Sequence, residues 1–145
     1  MKQVMKRIVV LMCLIGLLAG NAVAMDWKLF CQADDGATFF YDAKDVSKSK
    51  GIVGVWIKEL LSKEEIASIN KKYGGIYSNA YYRKEKIEIN CSTNEFRLQF
   101  RGLYSKGDGV LTAGPFPELF WRKIHPETPI DFLKKELCGI YSIPK

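Results

Sequence analysis

The chain has 145 residues, 26% of them charged, with a formal net charge of +6. Its first 24 residues hold Lys2, Lys6 and Arg7 and no acid, so the remainder carries only +3. That balance, with lysines interleaved among acids as in KEKIE from Lys84, argues against a nucleic-acid-binding track.

The N-terminus has the three parts of a cleavable export signal: basic MKQVMKR, apolar IVVLMCLIGLLAG, and NAVA with small residues at Ala22 and Ala24. Cleavage is expected between Ala24 and Met25. The apolar run falls short of the roughly 20 residues a spanning helix needs, so no transmembrane segment is expected after cleavage. Met12 precedes Cys13, where a lipoprotein site wants a small residue, so Cys13 is expected to leave with the signal. The expected organisation is a signal peptide over 1–24 and one domain over 25–145, in the periplasm or secreted. The domain has a size that buries roughly two-thirds of its unfolded surface.

The domain opens with WKLFCQ (27–32), a turn at Asp34-Asp35-Gly36 and TFFYD (38–42), which together predict a hairpin. Residues 42–50 are polar, with one helical turn expected at Asp45-Val46. IVGVWIKELL (52–61) is β-branched and aromatic, a buried strand with Val53, Val55 and Ile57 on one side and Ile52, Trp56 and Lys58 on the other. Gly54 marks either a bulge or a close neighbour. SKEEIASINKKYGG changes the period. Ser62 and Glu65 form a capping-box pair, Ile66, Ile69 and Tyr73 a thin stripe, and Gly74-Gly75 a stop. YYRKEKIEINC returns to a period of two, with Ile87, Ile89 and Cys91 on one face. EFRLQFRGLYS continues it, with Phe96, Leu98, Phe100 and Tyr104 expected on one face against Arg97, Gln99 and Arg101. VLTAG follows as a strand, GPFPELF as a loop and residues 121–124 as a brief edge strand. Thr128, Pro129 and Asp131 start a final helix, whose stripe is Ile130, Leu133 and Leu137. The expected fold is α+β: an antiparallel sheet with a short middle helix and a C-terminal helix packed on it.

Three cysteines remain after cleavage, and export favours a disulfide. Cys91 ends the apolar face of a central strand and Cys138 ends the last helix, so Cys91–Cys138 is the expected bridge, with Cys31 left free. Cys31–Cys91 and Cys31–Cys138 are the rival pairings.

Catalytic patterns are lacking. There is one histidine, His125, no CxxC or HExxH for a metal, and no GxSxG around a serine. The chain is therefore read as non-enzymatic. Tyr77, Tyr81 and Tyr82, followed by Arg83 and Lys84, form a tyrosine-rich basic segment of the kind enriched at interfaces. The plainer account is that half of these rings simply cover the sheet. His125, near Phe116, Phe120 and Trp121, is a further binding candidate and the basis of an alternative reading as a haem or small-ligand carrier.

FFYDAKDV (39–46), GIVGVWIK (51–58), IEINC (87–91), FRLQF (96–100) and W-x-x-I-x-P (121–126), closing on Cys138, together resemble the surface-adhesin protein E family of Gram-negative bacteria. The resemblance implies an α+β domain with its last two cysteines joined. It also implies binding of host matrix and serum proteins such as laminin and vitronectin, and of haem. The function expected on both grounds is an exported, adhesin-like binding domain with a protein partner in the envelope or matrix.

Overall fold

The computed structural model describes residues 24–116 and 119–139. The expected signal sequence, Ala24 apart, lies outside them.

In chain order the elements are β1 (Trp27–Gln32), β2 (Thr38–Asp42), β3 (Ser47–Ser49), β4 (Ile52–Leu60), α1 (Lys63–Tyr73), β5 (Ala80–Asn90), β6 (Glu95–Ser105), β7 (Val110–Pro115), β8 (Arg122–Lys123) and α2 (Pro129–Gly139). The strands form one antiparallel sheet in the order β1-β2-β4-β5-β6-β7, with β3 added beside β4 and β8 beside β6. This is the α+β arrangement the periodicities predict.

Each helix is set by its caps. Ser62 Oγ accepts the Glu65 N–H at 3.1 Å, and Gly74 ends α1 in the left-handed region at φ +63°. Thr128 Oγ1 accepts the Asp131 N–H at 3.3 Å, and the Asp131 carboxylate accepts the Glu127 N–H at 3.1 Å. Helix α1 buries no residue fully, as its thin stripe implies. Helix α2 drives Leu133 and Leu137 against Val55, Ile57, Ile87, Ile89 and Leu98, which makes the core. None of the described helices is long and apolar enough to cross a membrane.

Four links tie α2 to the sheet besides the apolar contact. Glu136 accepts hydrogen bonds from Lys28 Nζ (2.7 Å) and the Tyr41 hydroxyl (2.9 Å), and the Leu137 carbonyl accepts one from Lys48 Nζ of β3 (3.4 Å). The fourth is covalent: Cys91 Sγ and Cys138 Sγ are bonded at 2.02 Å, while Cys31 is free.

Two local expectations are corrected. Residues 47–49 form a strand, β3, beside β4, and no helical turn forms at Asp45-Val46. Its Ser47 pairs with Gly54, whose missing side chain makes room: a Cβ there would lie 2.5 Å from Ser47 Oγ. Gly54 thus marks a close neighbour. The second correction is in β6, whose register against β5 shifts between the pairs Ile87–Leu98 and Lys86–Phe100. Gln99 is the extra residue of a bulge. Phe96 and Leu98 stay on the core side, while Phe100 and Tyr104 turn to the other face, so the four do not share one side.

Candidate binding face

Alternation along paired strands gives the sheet two unlike faces. The helix face carries the core, α2 and, towards its other end, α1. On the open face, no described element packs over the centre of the sheet.

On the helix face beside α1, polar groups replace the core. Arg83 Nη1 lies 2.7 Å from Glu59 Oε2 and 3.8 Å from Glu65 Oε1, and Arg101 Nε lies 2.6 Å from Glu85 Oε1. Burial, reinforced by the carboxylates of Glu65 and Glu85, pushes Glu59 up to about 8 against the opposing pull of Arg83. A shallow cavity of about 330 Å³ opens above, between Ile69, Tyr73 and Tyr77 on one side and Arg83, Arg101 and Leu103 on the other. This is a network of arginines and carboxyl groups under a helix, and no histidine or cysteine lines the cavity. No group of three or more His, Cys, Asp or Glu among the described residues could hold a metal ion.

The open face is built differently. In the register of β4 against β5, Lys58 stands directly opposite Lys84, and Trp56 opposite Lys86. Lys58 Nζ lies 4.7 Å from the Tyr82 ring centre and Lys84 Nζ 5.5 Å. Both ammonium groups also lie 5.8 Å from the Trp27 ring, and Lys84 is 5.2 Å from Tyr104. Tyr82, only 2% exposed, is the floor: it stacks on Tyr104 at 4.9 Å and donates its hydroxyl to Asp108 at 2.8 Å. Burial, and then the Asp108 bond, pushes the Tyr82 phenol up, so it keeps its proton. Farther along, Lys86 lies 5.5 Å from Trp56, which meets Phe100 edge-on, and Arg97 lies over Trp121 at 4.6 Å.

The candidate residues read from sequence are therefore divided. Tyr82 and Lys84 belong to the open face. Arg83 belongs to the helix face, with Tyr77 at the cavity rim against Tyr73. Tyr81 is exposed, with Lys106 over its ring at 5.8 Å. His125 is exposed in the loop before α2, where its carbonyl accepts the Thr128 hydroxyl at 2.8 Å. The rings near it in sequence are engaged by arginines, Trp121 by Arg97 and Phe116 by Arg101, or stand exposed, as Phe120 does. Trp27, Trp56, Lys58, Phe100 and Tyr104 are the open-face residues that sequence reasoning did not single out as a binding site. Their signal was lysine and aromatic residues recurring at a spacing of two, in Trp56/Lys58 and Tyr82/Lys84/Lys86.

The profile of the family described as Surface-adhesin protein E matches residues 27–139, from the first residue of β1 to the last of α2. The chain belongs to the surface-adhesin protein E family. Membership supports an adhesin-like surface protein. Among solved structures it is similar to Haemophilus influenzae protein E: 12% identical, TM-score 0.51, covering 85% of this chain and 91% of that one. A second crystal form of the same protein gives 15% identity and a TM-score of 0.49 over 71% and 81%. At such identity the likeness to protein E is one of fold. No curated protein sequence matches the chain.

Proposed function

We propose that residues 1–24 export the chain to the periplasm or beyond, and that the remaining domain is a binding module without catalytic activity. Its contact surface is the open face of the sheet, with Lys84 as a member of that surface, the buried Tyr82 as the floor beneath it, and a protein of the envelope or extracellular matrix as partner. One observation carries this reading. Two opposed lysines and three aromatic rings occupy the centre of a sheet face over which no described element packs. A core-only role does not call for paired ammonium groups there, whereas aromatic residues beside cations are the composition of contact surfaces.

The test is capture of partners from envelope extracts and from matrix-protein preparations on the immobilised exported chain, compared with K58E/K84E. Retention by the wild type and loss in the variant, with unchanged circular dichroism, is the expected outcome. Equal retention by both would place the contact elsewhere.

A further inference from the structure

The open face pairs Lys58 and Lys84 across adjacent strands, and like charges directly opposite destabilise a sheet. The other cations nearby have acids: Lys86 meets Asp45 at 3.2 Å, and Arg97 pairs with Glu88. Among the described residues, no carboxylate lies within ion-pair distance of Lys58 or Lys84, and the rings of Trp27, Tyr82 and Tyr104 flank them. Rings soften the repulsion, since a cation is attracted to the electron-rich face of a ring, but they do not cancel charge.

We infer that the open face binds an acidic polysaccharide, with an anionic substituent seated between Lys58 and Lys84 and sugar rings laid against Trp27 and Tyr104. The inference rests on the binding-module reading and names the chemistry of the partner. The charge is complementary: two ammonium groups lacking a counter-ion within the described chain meet an anion. The rings supply the apolar half of the contact, because the carbon-bound faces of a sugar ring stack on aromatic side chains. Trp27 and Tyr104 are both half-buried, which leaves part of each ring accessible. The aromatic part of the pattern also continues along the strand: Trp56 lies beside Lys86, which Asp45 already pairs, about 6.6–6.8 Å farther along, so an extended saccharide chain has a further ring to stack on.

The experiment is titration of the exported chain with heparin octasaccharide and hyaluronan octasaccharide, read by calorimetry across a salt series. Neutral dextran, a dT oligonucleotide and poly-glutamate of matched charge serve as comparisons. Either acidic saccharide is expected to bind, and dextran is not. K58Q/K84Q should weaken binding at least tenfold and lower the salt slope by about two, one for each lysine. W27A should weaken it about tenfold with an unchanged slope, a readout that charge alone does not produce. Thermal melts show whether each variant is folded, and Lys106→Gln, away from the lysine pair, should bind as the wild type.

Binding of neither saccharide overturns the inference, as does equal binding by K58Q/K84Q. Equal or tighter binding of the oligonucleotide or poly-glutamate overturns the assignment to sugar. If protein partners are still captured through the open face while no saccharide binds, only this inference fails. If nothing is captured either, the binding-module reading fails with it.

Discussion

Removing the Cys91–Cys138 bond should cost the domain a large part of its stability, and the size follows from chain length. The bond joins residues 47 apart in sequence. Closing a loop of that length in the unfolded chain lowers its entropy by an amount worth about 4 kcal/mol at 25 °C. Domains of this size have about 5–15 kcal/mol in total, so C91A/C138A should stay folded at 25 °C but melt roughly 15 °C lower. Urea unfolding of the wild type, the wild type under dithiothreitol, and the double variant would measure the difference. Because the constraint acts on the unfolded chain, the urea dependence should steepen when the bond is absent, as a looser unfolded state exposes more surface. The contacts of Leu133 and Leu137, together with the Glu136 bonds to Lys28 and Tyr41, hold α2 in place in either form. A loss below about 1 kcal/mol with no change in urea dependence would refute the reasoning.

Glu59 makes stability depend on pH. Its folded value of about 8 lies above the ordinary 4.5, so the folded chain holds a proton that the unfolded chain releases. The stabilisation is complete below about pH 4.5 and is lost as pH rises through about 8, with a slope of up to about 1.4 kcal/mol per pH unit. Urea midpoints from pH 5 to 9 should fall in the wild type and flatten in E59Q; parallel profiles would exclude Glu59 as the source. Gly102 lies under the Tyr104 ring, where a Cβ would sit 2.7 Å from Tyr104 Cε2. G102A should displace that ring from Tyr82, cost about 1–3 kcal/mol and alter the near-ultraviolet tyrosine signal; an unchanged spectrum would contradict this. Leu133 is fully buried, so L133A should lower stability by about 2–5 kcal/mol in the same urea assay.

Local chemistry made much of the fold legible. Alternation in Val53/Val55/Ile57 and in Ile87/Ile89 marked the central strands, and Ser62/Glu65 and Thr128/Asp131 marked both helix starts, because each signal is complete within a few residues. The Gln99 bulge was not readable, since it exists only as a mismatch between β6 and β5. Residues 47–49 carry no strand signature of their own and become a strand by pairing with β4. The tyrosine-rich segment was visible, but a stretch of strand does not present consecutive residues to one partner. Tyr82 and Lys84 face one way and Arg83 the other. The lysine pair was hidden for a related reason: Lys58 and Lys84 are 26 positions apart, and only the β4–β5 register places them opposite each other.

Gln99 also bears on how the chain can change in length. Most single-residue deletions within β6 would exchange the sides to which part of the strand points. Deleting Gln99 would leave Leu98 opposite Ile87 and Phe100 opposite Lys86, with every side chain beyond still on its present side. The carbonyl that receives the Phe116 N–H at 2.9 Å would be the local loss. Descent could therefore add or drop one residue here without exchanging interior for exterior, which makes Gln99 a natural gap position when related chains are aligned.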